Sequence, residues 1–249
     1  MSDSLIIIPT YKEKENIKSI IVAIFALEKD FDILVIDDNS PDGTAAIVKE
    51  LMKEFRDRLF IIEREGKLGL GTAYITGFKY AIEHQYDYIF EMDADFSHNP
   101  NDLGKLYNAC AHKDYDVAVG SRYASGVNVV NWPMGRVLLS YFASIYVQIV
   151  TGMSIKDSTA GFICYKKEVL QTINLDKVRF VGYAFQIEMK FTAWKFGFKI
   201  TEVPIIFTNR VLGESKMSTK ILNEAVFGII QMKIRSFFKN YKRPKLATS

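Results

Sequence analysis

Short apolar runs and segments of helical periodicity alternate through the first half of the chain. The runs that predict buried strands cover residues 5–8, 32–37, 59–62, 88–92 and 117–120. Between them, apolar residues at helical spacing predict helices over 15–28, from the turn at 41–43 to about 55, and over about 70–84 and 100–112. Buried strands separated by helices are typical of the α/β class, with a Rossmann-like, mostly parallel sheet covered by helices on both faces.

The second half of the chain has a different pattern. A loop-like segment over 123–131 is followed by a predicted helix over about 133–151, a strand near 160–165, a helix over about 183–196 and a strand near 199–207. A polar loop then leads to a last amphipathic helix with a basic tail. We therefore expect an α/β domain over 1–218 and a C-terminal amphipathic helix and tail over 219–249.

Composition narrows the possible classes of protein. The 249 residues carry a formal net charge of +3, which is too small to predict nucleic acid as a partner. Cys110 and Cys164 lack the spacing of a zinc site or a disulfide framework and fit a reducing cytoplasm. The apolar stretch over 137–153 is too short and too polar to predict a bilayer span, and the N-terminus has no signal-peptide pattern. We expect a cytoplasmic protein with peripheral contact to the cytoplasmic face of the membrane.

Polar residues follow each predicted strand, at the edge where parallel α/β sheets bind ligands. The strongest candidate is Asp93-Ala94-Asp95, at the end of the strand over 88–92. Two carboxylates this close repel each other unless a cation neutralises them, and hard oxygen ligands suit Mg²⁺ or Mn²⁺. The alternative is a capping cluster for the helix over 100–112, and position alone leaves both interpretations open.

Two further strand ends carry candidate donor-binding residues. One carboxylate of Asp37-Asp38 is suited to hydrogen-bond a base or a ribose. The glycine-rich segment 66–71 contains Lys67 and opens a helix, and glycines, a helix N-terminus and a lysine together favour phosphate contact. A plain strand-to-helix turn is the alternative for this segment.

One face of the predicted helix over 133–151 is polar. Arg136, Ser140, Ser144 and Gln148 recur every fourth residue on an otherwise apolar helix. Arg136 and Ser140 are therefore adjacent donors, an arrangement suited to a phosphate carried by a lipid. An ordinary core helix with small polar residues is the alternative, and the pattern alone slightly favours it.

The last part of the chain contains two basic features. Arg210 and Lys216 lie in a polar loop that is able to fold over a diphosphate, with a solvated connection as the alternative. The final helix places apolar residues, including Phe237 and Phe238, among lysines and arginines, which predicts docking on an anionic bilayer. A helix packed on the domain is the alternative. The three histidines form no catalytic triad, and none is given a function.

Six sequence segments, in this order, resemble dolichyl-phosphate mannosyltransferases and, more broadly, family 2 glycosyltransferases with a GT-A fold. They are IIIPTYKEKENI (6–17), VIDDNSPDGT (35–44), REGKLGLGTAY (64–74), MDADFSHNP (92–100), GSRY (120–123) and NRVLGESKM (209–217). The resemblance extends from Leu5 to about Met217 and therefore covers nearly the whole chain.

The resemblance implies roles for particular residues. The donor would be bound by Pro9, Tyr11, Glu13, Asp38, Lys67, Asp93, Ala94, Asp95, Arg210 and Lys216. Asp95 would bind a divalent metal, Mg²⁺ or Mn²⁺, that bridges the donor diphosphate. Archaeal relatives carry Gln where this chain has Ser97, a shorter and weaker metal ligand. Arg122, Arg136 and Ser140 would bind the acceptor phosphate.

The implied activity is inverting transfer of mannose from GDP-mannose to a polyprenyl monophosphate, with Asp95, Arg122 and Arg136 as catalytic residues. A phosphate monoester is largely dianionic at pH 7 and attacks without a general base. A hydroxyl acceptor would need one, and Asp157 or Glu188 is then the candidate. The QxxRW motif of processive polysaccharide synthases is missing, which disfavours chain elongation. Alternatives are a UDP-sugar transferase that uses glucose or N-acetylglucosamine, a nucleotidyltransferase and a non-catalytic membrane-docking module.

Overall fold

A seven-stranded sheet forms the centre of the computed structural model, which describes residues 2–182, 184–209 and 219–243, with the backbone alone for 219–225. The strands of the chain are β1 (Ser4–Thr10), β2 (Asp32–Asp37), β3 (Leu59–Glu63), β4 (Tyr88–Glu91), β5 (Val117–Ser121), β6 (Val129–Val130), β7 (Ile163–Lys166), β8 (Ile200–Pro204) and β9 (Phe207–Thr208). The order in the sheet is β3-β2-β1-β4-β7-β5-β8, and β6 pairs with β9 in a separate two-stranded ribbon.

The sheet is mostly parallel, as the alternation of strands and helices predicts. β1 pairs in parallel with both β2 and β4, and β5 pairs in parallel with β8. The exception is β7, which is antiparallel to its two neighbours β4 and β5. The apolar pattern predicts a strand here, but it carries no information about the direction of that strand.

Helices cover both faces of the sheet. They are α1 (Ile17–Phe25), α2 (Thr44–Glu54), α3 (Leu70–Glu83), α4 (Leu103–His112), α5 (Met134–Thr151), α6 (Lys167–Thr172), α7 (Ala184–Lys195) and α8 (Thr219–Ser236). Successive side chains of a strand point to opposite faces. In β1, Leu5 and Ile7 accordingly pack in one apolar core, while Ile6 and Ile8 pack in the other. A run that is apolar at every position therefore serves two cores.

Several predicted elements differ from those in the structure. The segment 123–131, predicted as a loop, contains β6, and α6 had no predicted counterpart. The strand predicted near 199–207 is two strands, because the chain leaves the main sheet after Pro204 and β9 pairs with β6 instead. The helix predicted from 100 begins as a 3₁₀ turn over Pro100–Asp102, and α4 follows it. The boundary predicted at residue 218 adjoins 210–218, outside the described residues, and stays a prediction.

α5 lies along the domain with its polar face inward. Ser144 is buried with its hydroxyl 3.5 Å from that of Ser158, and Gln148 donates to the Ile155 carbonyl. Many of its apolar residues are exposed instead, although Val147 is buried in an apolar cluster, and only 17% of the helix is buried. With a mean hydropathy of 1.2 over 18 residues, it is long and apolar enough to cross a membrane by length and composition alone. The polar contacts to the domain, however, indicate a helix that packs on the protein surface.

Candidate active site

A cavity of about 110 Å³ lies beyond the carboxyl ends of β4 and β5, and we call it the central cavity. Five residues predicted from the sequence line it: Asp93, Asp95, Ser97, Arg122 and Arg136. Other lining residues had no predicted role, among them Tyr74, His98, Trp132, Gln186 and Asn209. The rule that ligands bind at strand ends therefore locates the centre of this site, and it misses residues that other elements contribute.

The loop after β4 turns sharply at Phe96, between the predicted metal ligands. Phe96 has a φ of 58°, in the left-handed region that residues with side chains seldom adopt. The turn brings the backbone N–H of Ser97 within 3.0 Å of Asp95 Oδ1. Ala94 is only 3% exposed and packs in the apolar core, so its side chain does not line the cavity. Any contact from Ala94 to a donor must therefore come from its backbone.

The donor atoms on this loop fit a hard divalent cation. Asp93, Asp95 and Ser97 all line the central cavity and present oxygen atoms. The hydroxyl of Ser97 is buried without a hydrogen-bond partner in the described part of the chain, so a cation or its water would satisfy it. Nowhere among the residues that the structure describes do three or more His, Cys, Asp or Glu side chains come together to hold a metal ion on their own. Mg²⁺ commonly takes one or two carboxylates and completes its coordination with substrate phosphates, which this arrangement permits.

Arg122 is held in the cavity wall by Asp157. Its Nε lies 2.8 Å from Asp157 Oδ2 and its Nη2 lies 2.5 Å from Oδ1, while Nη2 also donates to Thr159. Asp157 is completely buried, and its backbone N–H donates to Glu202. Burial opposes the charge of Arg122, but the hydrogen bonds to Asp157 and the negative charge of Asp157 together outweigh this and raise the pKa of the guanidinium. Arg122 is therefore a fixed, charged part of the wall.

The two carboxylates predicted as candidate bases for a hydroxyl acceptor are both occupied. Asp157 accepts three hydrogen bonds from Arg122, counting its backbone N–H, and does not line the central cavity. Glu188 accepts the backbone N–H groups of Arg179 and Phe180 and lies outside that cavity as well. The structure therefore corrects the expectation that either residue is available as a base.

Arg136 reaches the cavity from the first turns of α5. Its Nη1 donates to Asn209 Oδ1 at 2.9 Å, and its guanidinium carbon lies 4.0 Å from the ring centre of Trp132. Ser140, one turn later, is half-buried but does not line the cavity. The structure therefore brings Arg136 together with Arg122 and leaves Ser140 at the margin.

The residues predicted to bind the nucleoside sit at the ends of β1 and β2, next to the central cavity but not in its wall. Asp38 is paired with Arg64, whose Nε donates to it at 2.6 Å, and Arg64 had no predicted role. The carboxylate of Asp37 instead accepts hydrogen bonds from the hydroxyls of Thr10 and Ser40, so its role is to stabilise the turn after β2. Glu13, on the β1–α1 connection, accepts from Asn16. Of the predicted pair Asp37-Asp38, only Asp38 thus remains a candidate.

Tyr11 and Lys67 lie together, with the ammonium 5.2 Å from the ring centre, whereas Pro9 is half-buried within β1. Gly71, in the same glycine-rich segment as Lys67, has a packing role. A Cβ on Gly71 would lie 2.7 Å from the Phe180 carbonyl, and the N–H of Gly71 donates to Val181. Close approach of the segment before α7 thus explains Gly71, and also Gly69, where a Cβ would lie 3.0 Å from the Val181 carbonyl, whereas a Cβ on Gly66 would meet nothing within 4 Å. Arg210 and Lys216, predicted to close over the donor, lie outside the described residues.

A buried polar network lies beneath the cavity. Gln186, in the first turn of α7, lines the cavity and donates to Glu91 at the end of β4. Lys190, one turn later on α7, is completely buried and donates to the Ala160 carbonyl at 2.6 Å. Burial raises the pKa of Glu91 and lowers that of Lys190. The network ties the floor of the cavity to β4 and to the loop before β7.

Several buried polar atoms without a protein partner face this one site. Among the described residues, such atoms on cavity-lining side chains belong to Tyr74, Ser97, His98, Trp132 and Gln186. His98 stacks on Phe162, and burial lowers its pKa to about 4, so it is neutral at pH 7. Buried polar groups are normally hydrogen-bonded, so their concentration here indicates a ligand site. His98 could have been predicted from the sequence, because it directly follows the Asp93–Ser97 loop. Trp132 and Gln186 do not directly follow any of the strands predicted from the sequence, so no such signal pointed to them.

Comparison with known proteins identifies the family. The model of glycosyl transferase family 2 matches residues 5–173. Polyprenol monophosphomannose synthase of Mycolicibacterium smegmatis is 44% identical over 93% of this chain and 87% of its own length. Undecaprenyl-phosphate mannosyltransferase of Micrococcus luteus is 41% identical over 90% of this chain and 91% of its own length. The predicted resemblance to family 2 is thereby confirmed.

Solved structures with low sequence identity share the fold. Glucosyl-3-phosphoglycerate synthase from Mycobacterium tuberculosis, in complex with Mn²⁺ and UDP, has a TM-score of 0.66 at 15% identity and covers 94% of this chain and 79% of its own. A mannosyltransferase from Pyrobaculum calidifontis, in complex with GDP-Man and Mn²⁺, has a TM-score of 0.61 at 15% identity and covers 97% and 66%. The predicted GT-A fold is confirmed. This chain is a glycosyltransferase that belongs to glycosyl transferase family 2.

Proposed function

We propose that this enzyme transfers mannose from GDP-mannose to a polyprenyl monophosphate. The observation that carries the proposal is that two arginines, Arg122 and Arg136, line the same cavity as the Asp93–Asp95 loop. One side of the cavity is thus suited to a metal and a nucleoside diphosphate, and the other to a second phosphate. The names of the relatives from M. smegmatis and M. luteus support a polyprenyl phosphate acceptor and mannose as the sugar.

On the donor side, Asp95 and Ser97 would hold Mg²⁺ or Mn²⁺, which when bound neutralises charge on the diphosphate. Asp93 would contact the donor beside them. Asp38, kept in place by Arg64, and Tyr11 with Lys67 would bind the nucleoside and the diphosphate, together with Pro9 and Glu13. GDP as the nucleotide draws on the P. calidifontis mannosyltransferase, which was solved in complex with GDP-Man and has this fold.

On the acceptor side, no protein base is needed. The phosphate oxygen would attack the anomeric carbon as the bond to the GDP oxygen breaks, which inverts that carbon. A phosphate monoester has a second pKa of about 6 and is already dianionic at pH 7. Arg122 and Arg136 would orient it and partly neutralise it. This agrees with the occupied state of Asp157 and Glu188, the two carboxylates that would otherwise have been candidate bases.

The acceptor lipid would reach the site from a membrane surface. Met134, Leu138, Phe142 and Ile149 form an exposed apolar stripe on α5. α8 packs on α5 and exposes its apolar residues Phe227 and Ile234. Phe237 and Phe238, directly after α8, are exposed as well, close in sequence to Arg235 and Lys239. Exposed apolar surface next to basic residues favours an anionic bilayer. We propose peripheral docking on the cytoplasmic leaflet through both helices, whereas the sequence pointed to α8 alone.

The experiment that tests the donor assignment compares nucleotides. We expect GDP with Mn²⁺ to raise the melting temperature of the enzyme by several degrees and UDP with Mn²⁺ to leave it nearly unchanged. In competition for a polyprenyl phosphate, GDP-mannose should be the donor that gives lipid-linked sugar. Protection by UDP alone, with transfer from UDP-glucose or UDP-N-acetylglucosamine, would overturn the proposal and assign a UDP-sugar transferase.

A further inference from the structure

Trp132 lies between the two arginines of the central cavity. It follows β6 and precedes α5, and its ring packs edge-on against Phe207 of β9. The Arg136 guanidinium lies over the indole at 4.0 Å and that of Arg122 at 5.4 Å from the ring centre. A guanidinium over an indole face is a favourable cation–π arrangement. The indole therefore fixes the position of Arg136 relative to Arg122.

The indole N–H has no partner within the described residues. Its nitrogen is buried, and Trp132 lines the central cavity. Buried indole N–H groups usually find an acceptor, because leaving such a donor unpaired is unfavourable. A group that enters the cavity would supply this acceptor, so the N–H is itself a sign of a ligand.

The surroundings of the N–H select the chemistry of that ligand. An indole nitrogen donates and never accepts, and the same holds for a guanidinium. Asn209 already offers its side-chain carbonyl oxygen to Arg136. The part of the cavity around Trp132 is thus rich in donors and positive charge, which suits a group with several acceptor oxygens and negative charge.

We propose that Trp132 binds the acceptor phosphate directly, its indole N–H donating to a non-bridging oxygen while the ring face supports Arg136. This inference rests on the proposed function, since it assigns a residue to the acceptor of that reaction. Trp132 is then a binding residue with two separable contributions, the N–H and the ring.

Substitution separates the two contributions. Trp132→Phe keeps an aromatic ring under Arg136 and removes the N–H, whereas Trp132→Leu removes both. We expect Trp132→Phe to raise the KM for polyprenyl phosphate about tenfold, and Trp132→Leu by more, with the KM for GDP-mannose unchanged in both. Trp194→Phe, on α7 away from the cavity, is the matched control and should change neither constant. An unchanged acceptor KM in Trp132→Phe, or an equal rise in both constants, would overturn the inference.

A binding measurement does not depend on turnover. The chain has two tryptophans, so Trp194→Phe leaves Trp132 as its only indole fluorophore. Titration with farnesyl phosphate should change the emission of Trp132 saturably, and farnesol should not. If farnesyl phosphate binds, by competition with the polyprenyl substrate, but leaves the emission unchanged, the inference about Trp132 is wrong while the proposed function stands. If no prenyl phosphate binds or is glycosylated, the proposed function itself fails.

Discussion

Arg122 and Asp157 form a two-bonded ion pair in the wall of the central cavity, with contacts of 2.8 and 2.5 Å. Both side chains are almost fully enclosed, and Asp157 is further fixed through Glu202. Removing one partner of such a pair leaves an uncompensated charge in the interior. The same ion pair therefore stabilises the fold and positions Arg122, the residue proposed to bind the acceptor phosphate.

Replacing Asp157 by Asn tests this link. We expect Asp157→Asn to lower the free energy of unfolding by about 3 kcal/mol, because Arg122 stays charged and buried. The measurement is urea unfolding, with transfer kinetics recorded alongside. Asp176→Asn is the control, because Asp176 pairs with Lys79 at the surface and such pairs contribute little. Equal stability of the two variants would contradict the role of the ion pair.

Metal binding should depend unequally on the two proposed ligands. Asp95→Asn should remove Mn²⁺ binding in the presence of GDP, because it loses the only charged ligand of the proposed pair. Ser97→Ala should weaken that binding about fivefold, corresponding to roughly 1 kcal/mol for one neutral oxygen. Isothermal titration with Mn²⁺ measures both, and transfer should stop in EDTA and return with Mg²⁺ or Mn²⁺. Mn²⁺ affinity in Asp95→Asn equal to that of the wild type would refute the assignment.

The buried carboxyl of Glu91 predicts a pH dependence of stability. Burial raises the pKa of Glu91 from 4.5 to about 8. The unfolded chain therefore releases this proton at lower pH than the folded protein, so stability is lost as the pH rises from about 5 towards 8. Glu91→Gln lacks this titration.

We expect the free energy of unfolding of Glu91→Gln, relative to the wild type, to increase between pH 5 and pH 8 by on the order of 1 kcal/mol or more. The pH dependence from His98 is present in both proteins and cancels in the difference. Lys190 loses the nearby charge of Glu91 in the variant, which lowers the pKa of Lys190 further and adds to the increase. Urea unfolding at several pH values measures it. A difference that is constant or falls over this range would show that Glu91 is ionised in the folded protein.

The exposed stripe on α5 should govern binding to membranes. Phe142 is 60% exposed and Leu138 is 48% exposed, both on the same side of the helix. We expect the double variant Leu138→Ser/Phe142→Ser to bind vesicles of anionic phospholipid at least about tenfold more weakly, because burial of such side chains contributes roughly 1.5–3 kcal/mol each. Cosedimentation measures the affinity.

Val22→Ser provides the control for the vesicle experiment. Val22 is 43% exposed, but it lies on α1 rather than on α5 or α8. Its loss should leave vesicle binding unchanged. If the α5 double variant binds like the wild type, the docking surface is not α5.

Local pattern was sufficient to predict the layers of the fold and that several candidate residues lie together in one cavity. Strand β2 was predicted with its exact bounds, because Asp32–Asp37 is a short apolar run between turn residues. Asp93, Asp95 and Arg122 were found because side chains at the carboxyl ends of neighbouring strands meet at one edge. The polar face of α5 was also predicted, since a four-residue period places Arg136 and Ser144 on one side, but its inward direction is seen only in the structure.

The remaining features depend on contacts between segments distant in sequence. The antiparallel direction of β7 follows from where the chain re-enters the sheet, and no residue in Ile163–Lys166 encodes it. Trp132 and Gln186 enter the cavity from the residues before α5 and from the start of α7, so a search along strand ends misses them. Asp157 looked like a possible base because its pairing with Arg122, 35 residues away, is visible only in three dimensions.

The measurement that tests the central claim most directly is transfer of radiolabelled mannose from GDP-mannose, with a polyprenyl phosphate and the matching polyprenol as parallel acceptors. We predict lipid-linked mannose from the phosphate, none from the alcohol, and a rate at least about a hundredfold lower in Asp95→Asn. Mannose on the alcohol, or no loss of rate in Asp95→Asn, would contradict a metal-assisted transfer to a lipid phosphate.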